Sequence, residues 1–380
     1  MQHRTWIEID ERALARNIEN LTSLLNEGAR FCAVVKANAY GHGLKEVVQI
    51  AARAGVDAFA VDQIDDAIKI RKILPSAMIM TLGYVMQHRL HDAVSHGIHL
   101  TVYNKETIEK LEEAAVQIAK KAYLHLKLET GTARQGIQEI ELNDYLDLIK
   151  RSEHVELKGI STHFANIEDT SDPSFATHQF QTFCELKEKI EKQGFHLEFS
   201  HCACSAAIVL YPDTHDHLVR AGISLYGVWS SALVEKTARK HNIYCDLTPA
   251  LTWKTRIAQV KSFKAGTPIG YGLTEALGRQ SRIAVVPVGY FDGYDRALSS
   301  AGEVLIAGSR CKVIGRVCMN MMMVDVSHVP NCEQGQEVIL IGRSGRHAIT
   351  ADQLAELANT ISYEILARIN PELPRIVVST

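Results

Sequence analysis

Lys36 closes an apolar run in AVVKANAYGHG, residues 33–43. A buried ammonium is costly unless it reaches water, meets a counter-charge or becomes a neutral or delocalised group. Condensation with an aldehyde achieves the last of these. Taken alone, Lys36 has two open readings: a strand-end amine in water, or an amine that carries an aldehyde cofactor. Tyr40-Gly41-His42-Gly43 follows, and its small residues are expected to open the next helix and offer backbone N–H groups to a phosphate. His201-Cys202-Ala203-Cys204 reads as half a metal site. With no second Cys or His pair at ligand spacing nearby, no metal is expected.

Further segments follow in order: KLETGTARQG (127–136), STHFAN (161–166), CSAA (204–207), VRAGISLYG (219–227), Gly270-Tyr271-Gly272, VGYFDGYDRAL (288–298), GRVCMNMMMVDV (315–326), Ser362-Tyr363-Glu364 and Pro374-Arg375. Together with the Lys36 segment, they resemble the alanine racemases, which are fold III pyridoxal-phosphate enzymes. The matches run from residue 33 to residue 375.

This resemblance implies a role for each matching residue. Lys36 holds pyridoxal 5'-phosphate. Arg134 touches the phenolic oxygen of the cofactor and the substrate carboxylate, and Lys127 matches a lysine that is carbamylated in many members. His163 sits in the hydrogen-bonded layer against the ring, with a satisfied core histidine as the other reading. Tyr40, Ser205, Gly222, Ile223 and Tyr363 gather around the phosphate, and Arg220 faces the pyridine nitrogen. Tyr271 is the second base, lent by the other subunit of a homodimer, although its motif alone is equally that of a buried tyrosine in a strand turn. Met319 offers its backbone N–H to the substrate carboxylate across the dimer, and Tyr290 lies near the entrance. The sequence departs from the family at two points: Cys204 stands where asparagine is usual, and Asn320 where many members have aspartate.

The implied reaction interconverts L- and D-alanine. Racemisation removes a proton from one face and returns it on the other, so two bases are the minimal design. Lys36 is assigned to D-alanine and Tyr271 to L-alanine, with His163 and Arg220 as a relay towards the tyrosine. A guanidinium at the ring nitrogen donates without giving up its proton. That leaves the ring less able to spread the carbanion and disfavours transamination. D-Alanine for a bacterial cell-wall precursor is the implied product.

Three rivals are open. A fold III decarboxylase would place an acid where Arg220 stands. A bare-barrel cofactor carrier would have no use for the residues beyond the barrel. A racemase of serine or another small amino acid shares the fold, because specificity lies in a few side chains. Tyr290 and Tyr363 keep the pocket small and favour alanine.

These residues need a scaffold. Trp6–Ile9 reads as a strand, and Asp10 caps a helix with the stripe Leu14, Ile18, Leu21, Leu25. Eight near-continuous apolar runs follow: 31–36, 58–61, 78–82, 99–102, 122–129, 157–164, 196–202 and 218–223. Helical patterns at 63–73, 105–115 and 175–193 separate them. The alternation predicts a (β/α)8 barrel with its chemistry at the C-terminal strand ends. A doubly wound sheet is the alternative, but its Gly-rich fingerprint is absent from the first unit.

Beyond about Ser231 the texture becomes strands and Gly-containing turns: 251–263, 283–290, 303–317, 321–326 and 337–341. Helical pattern returns at 350–367. The domains expected are a cofactor-binding barrel over 1–231 and a mainly β domain over 232–380, with residues 1–10 as candidates to pair with the latter. A net charge of -3 gives no nucleic-acid signal. The N-terminus has no signal-peptide pattern, no stretch nears the ~20 apolar residues of a membrane span, and the eight scattered cysteines read as free thiols. A cytoplasmic protein is expected.

Overall fold

The computed structural model describes residues 3–379, which divide into two compact units. One contains residues 14–37 and 47–248. The other takes the N-terminal segment through Ala13, then Asn38–Glu46, then the chain from Pro249 onward. Strand β1 (Thr5–Asp10) leads into a helix, Glu11–Thr22. Asp10 caps that helix, its Oδ1 accepting from the N–H groups of Arg12 (2.9 Å) and Ala13 (3.1 Å). Leu14, Ile18 and Leu21 are buried along one face.

The first unit is the expected barrel. Its strands are β2 (Arg30–Val34), β3 (Ala58–Val61), β4 (Met78–Thr81), β5 (His99–Val102), β6 (Ala122–Lys127), β7 (Val155–Ser161), β8 (Phe199–His201) and β9 (Leu218–Ala221). All pair in parallel in the order β8-β7-β6-β5-β4-β3-β2-β9. The seam between β8 and β9 is bridged just past β8, where Arg220 N–H donates to Ala203 O at 3.1 Å. β3 and β4 are buried at every position, which explains why their sequences do not alternate. Helix Ala232–Lys240, beyond the residue where the texture changes, belongs to this barrel unit.

The barrel interior departs from the usual branched aliphatic filling. His99, His125 and His201 form a file of imidazoles. Gly159 in β7 leaves room for them, since a Cβ there would lie 2.8 Å from His125 Nδ1 and 2.4 Å from Phe199 O.

In the second unit β1 pairs antiparallel with β10 (Leu251–Arg256) and parallel with the final strand, Arg375–Val378. Two long strands expected from the sequence are interrupted. The run 251–263 breaks after Arg256, and Gln259–Phe263 pairs instead with Ser281–Val286. The run 303–317 is a hairpin, Glu303–Ile306 against Ser309–Ile314, turned by Ala307 (φ 47°) and Gly308 (φ 75°). Both turn residues are left-handed, the pattern of a tight two-residue hairpin. Ala-Gly is a weak signal for it because alanine rarely takes that conformation.

The segment after Lys36 also differs from expectation. Ala37, Asn38, Ala39 and Tyr40 all have φ between 51° and 54°, so the chain makes one left-handed helical turn. Such a turn costs about 1–2 kcal/mol per L-residue. Internal bonds hold it: His42 N–H to Ala39 O (3.0 Å), Gly43 N–H to Asn38 O (2.9 Å) and Leu44 N–H to Asn38 Oδ1 (2.9 Å). Those three N–H groups are therefore spent inside the turn and are not available to a phosphate, and the next helix begins only at Leu44.

Gly41 (φ +81°) lets this turn pack, since a Cβ there would sit 2.0 Å from the Leu366 carbonyl oxygen. Gly266 has the same φ of +81° and open space around it. Gly266→Ala should therefore cost only the left-handed strain, about 1 kcal/mol, whereas Gly41→Ala should cost a further ~1–3 kcal/mol from overpacking. Urea midpoints of the two variants measure the difference, and equal midpoints contradict the packing argument.

Candidate active site

The C-terminal end of the barrel collects basic groups. Lys36 follows β2, Lys127 ends β6, His163 follows β7, Ser205 follows β8, and Arg220 lies in β9 with Gly222 and Ile223 just beyond. Arg220 is 6% exposed. Its Nη1 donates to His201 Nδ1 and to His201 O (2.8 Å), and its Nη2 to Thr162 O (2.9 Å) and Cys202 O (3.3 Å). Each acceptor is neutral, and among the described residues no carboxylate pairs with the guanidinium. The reading of His201-Cys204 as half a metal site gives way to this bond, and among the described residues no cluster of three or more His, Cys, Asp or Glu could hold a metal ion.

The buried arginine acts on its neighbours through its field. Burial first, and then the charges of Arg134 and Arg220, lower the Lys36 ammonium below the ordinary lysine range, with Asp62 opposing. Lys127 is 8% exposed and has no side-chain hydrogen bond or ion pair among the described residues. Burial pushes it well below the lysine range, helped by Arg220 and Arg134 and opposed by Glu129. The Glu129 carboxylate is committed elsewhere, accepting from the N–H groups of Gly131 and Thr132 at 2.6 Å each and shaping the loop that carries Arg134. His163 is held neutral by burial and then by Arg220, Lys127, Arg134 and Lys36. These side chains sense one another, so sequence segments up to 184 residues apart (36 to 220) meet in one cationic basin.

Ser205 is buried, and its Oγ accepts from Gly222 N–H (3.1 Å) and Ser224 N–H (3.3 Å). Its own O–H is left to donate. Gly222 N–H thus has a partner already, whereas Ile223 starts a 3-10 turn and its N–H has no acceptor within that turn. Cys204 makes no capping bond to the short helix after it, and burial raises its thiol pKa, so it is a neutral thiol.

The remaining candidates lie in the other unit. Tyr40 and Tyr363 face each other with ring centroids 6.1 Å apart. Arg375 explains the Pro374-Arg375 motif: it donates to Gly41 O (2.8 Å), Asn370 O (2.8 Å) and Leu373 O (2.6 Å), tying the turn near Tyr40 to the C-terminal segment. Tyr271 is 72% exposed, in contrast to the buried strand-turn reading, and is flanked by left-handed Gly270 and Gly272. Tyr290 and Met319 are also exposed. They are neighbours because Tyr290 N–H donates to Cys318 O (3.1 Å) and Phe291 N–H to Met319 O (3.0 Å).

Sequence reasoning passed over His99 and His125, and saw His201 only as a metal ligand. The available signal was His125, two residues before Lys127 on the same strand and thus on the same face. Its link to His201 and Arg220 needs the closed barrel.

Comparison with known proteins decides the family. The profile described as "Alanine racemase, N-terminal domain" matches residues 9–230, and "Alanine racemase, C-terminal domain" matches 250–377. The chain belongs to the alanine racemase family. An alanine racemase of Leptospira interrogans (strain 56601) is 36% identical, covering 99% of this chain and 96% of that protein. The solved alanine racemase of Clostridium difficile 630 superposes with a TM-score of 0.93 at 33% identity, covering 100% of this chain and 97% of that one. A histidine racemase of Leuconostoc mesenteroides subsp. sake superposes at 0.88 with 25% identity, covering 100% and 99%. A family fold therefore hosts more than one substrate.

The Lys127 environment has a measurable consequence. Its folded-state pKa lies well below the ordinary 10.5, so the unfolded chain binds the extra proton in the window between them. Stability then rises with pH across that window, by at most about 1.4 kcal/mol per unit. In carbon-dioxide-free buffer, Lys127→Met should be more stable than the parent by at least ~1 kcal/mol near pH 7, and the gap should narrow towards pH 9. A gap that is constant with pH, measured by urea unfolding, contradicts the assignment.

Proposed function

We propose that this protein racemises alanine, with pyridoxal 5'-phosphate held by Lys36. The observation carrying this reading is the cationic basin: Lys36, Lys127, Arg134 and Arg220 around neutral His163, with Glu129, the acid that acts on Lys127, spent on its own loop. Lys127 and Arg220 are buried, Lys36 is half-buried and Arg134 is exposed; buried cations without a fixed counter-charge suit an anionic guest. A phosphate-bearing aldehyde fits the donors present. The Ser205 O–H and Ile223 N–H would hold the phosphate, and Arg220 would donate to the ring nitrogen; Tyr40 and Tyr363 stay phosphate-site candidates on the family resemblance. When bound, the cofactor supplies a carbonyl for covalent attachment to an amine and a conjugated ring that acidifies the amino acid's Cα–H.

The chain's own groups do the rest. Lys36, shifted towards its neutral amine, is fit to take or return the Cα proton on one face. Tyr271 serves the opposite face. Arg220 stays protonated because a guanidinium does not release its proton at any working pH, so it polarises without becoming an acid. Arg134 and, from the partner chain, the backbone N–H of Met319 would bind the substrate carboxylate. Carbamylation of Lys127 would convert a costly buried cation into an anion beside Arg134 and Arg220, and the lowered pKa supports it, since only the neutral amine reacts with carbon dioxide.

Tyr271 is proposed to act from a partner chain. In support, Tyr271, Leu273, Tyr290, Phe291, Met319 and Met321 are all at least 43% exposed, an apolar surface of the kind covered in oligomers. No described helix is long and apolar enough to cross a membrane, and a cytoplasmic setting with supply of D-alanine for cell-wall synthesis is part of the proposal. The two-domain reading, a barrel to residue 231 and a mainly β domain beyond it, is retained with two amendments: the helix Ala232–Lys240 is assigned to the barrel, and Asn38–Glu46 to the mainly β unit. A racemase of another amino acid is the second reading, kept by the likeness to the histidine racemase. Tyr290 and Tyr363, argued to narrow the pocket, favour alanine.

Two measurements test this. Tyr271→Phe should lose α-proton exchange in L-alanine by at least ~100-fold while cofactor absorbance is kept, and normal exchange removes Tyr271 from the mechanism. Lys36→Ala and Tyr271→Phe chains, each inactive alone, should regain about one quarter of parental activity after subunit exchange, because half the dimers are mixed and each has one intact site. No recovery despite proven exchange means that both residues work within one chain.

A further inference from the structure

The imidazole file runs away from Arg220 to the opposite end of the barrel. Arg220 can only donate, so His201 accepts at Nδ1 and carries its hydrogen on Nε2. His201 Nε2 meets His125 Nδ1 at 2.9 Å, and His125 Nε2 meets His99 Nδ1 at 3.0 Å. Burial keeps all three rings neutral, most strongly at His125 and His201, with His99 pushed down to about 4. Each ring therefore accepts at Nδ1 and donates at Nε2. The last donor, His99 Nε2–H, has no protein acceptor among the described residues.

His99 forms part of the wall of an open cavity of about 720 Å³ at the N-terminal ends of the barrel strands. Four cations line it, Arg30, Arg71, Lys120 and Lys121, against a single carboxylate, Glu198, which pairs with Lys158 at 3.1 Å. Arg30 has its own partner in Asp57. Arg71 has none among the described residues: its guanidinium donates there to backbone carbonyls, those of His96, Pro75, Ala77 and Gly97 among them, and to no carboxylate. Lys120 Nζ bonds Ser95 O (2.9 Å), and Lys121 Nζ bonds Glu153 O (2.6 Å) with Glu156 4.0 Å away. An ammonium has three donors, so each lysine retains more than one. Tyr123 and Phe199 pack on the His99 ring at 5.1 and 6.2 Å and complete an aromatic floor.

Surplus positive charge and unspent donors, with almost no acceptor to match them, describe a receptor for oxyanions. We propose that this cavity is a second ligand site, distinct from the active site, that binds a phosphate-type oxyanion through Lys120, Lys121 and the Nε2–H of His99. The bound oxygens accept the hydrogen that the imidazole file delivers, so the site terminates a donor chain that begins at Arg220. The aromatic floor leaves room for a flat organic group attached to the phosphate. Inorganic phosphate and a phosphate ester share the recognising chemistry and differ only in use of that floor.

The test uses the cofactor-loaded enzyme in oxyanion-free buffer, with inorganic phosphate as the probe. Calorimetry should show saturable binding with Kd of about 1 mM, and Lys120→Glu with Lys121→Glu should raise Kd at least ~10-fold without changing KM for alanine. In protein labelled with ¹⁵N-histidine, the imidazole resonance that disappears in His99→Gln should move on phosphate addition. A phenyl phosphate that binds more tightly than inorganic phosphate supports an ester as the natural occupant, whereas equal affinity supports the free ion. No saturable heat, or phosphate binding unaltered by the lysine reversals, overturns the proposal. So does a His99 resonance that stays fixed while phosphate binds, a readout that does not depend on the lysine variants folding.

Discussion

Positive charge buried without fixed negative charge is the constraint on which the site rests. Arg220 is enclosed by the barrel and satisfied only by carbonyls and an imidazole. Neutral acceptors stabilise a guanidinium by hydrogen bonding but do not cancel its field. Burial is the larger cause of the lowered pKa values of Lys36, Lys127, His163 and His201, and the field of Arg220 adds to it at all four. A carboxylate beside Arg220 would remove its contribution at all four and leave burial as the main cause. Burial and uncancelled positive charge thus act together on the groups gathered at this end of the barrel.

The same arginine imposes order in the other direction. Because a guanidinium never accepts, it fixes the tautomer of His201, and the fixed ring orders His125 and His99 in turn. Gly159 permits this file by leaving out a side chain where β7 passes the imidazoles. Aliphatic residues would have filled the barrel at lower desolvation cost. The polar file links the two ends of the barrel and places a donor at the cationic cavity.

The second unit meets its demands through backbone conformation. Four consecutive left-handed residues cost several kcal/mol by any reckoning of single-residue strain. The turn persists because Asn38, His42, Gly41 and Arg375 over-determine it. Arg375 is the last residue of the Pro374-Arg375 motif, and its bonds to Gly41 show why a motif near the chain end belongs with one near residue 40. Stored strain beside a half-buried lysine of lowered pKa is the pattern expected of a functional segment.

The sequence alone determined the alternation of β and α elements, the barrel with a mainly β partner, the position of Lys36 at a strand end, and a family resemblance spread over nearly the whole chain. Each is a local pattern or an ordered set of local motifs, which one-dimensional reading can capture. The hairpin at Ala307-Gly308, the break after Arg256 and the left-handed turn escaped it, because their residues have no strong intrinsic preference for what they do. Only the tertiary structure decided that, among the described residues, Arg220 meets no carboxylate and buried Lys127 no side-chain partner, that Tyr271 is exposed, and that three histidines from β5, β6 and β8 touch. Those properties depend on which strands close around a given atom. Burial and electric field are sums over neighbours distant in the chain, and no spacing along it encodes them.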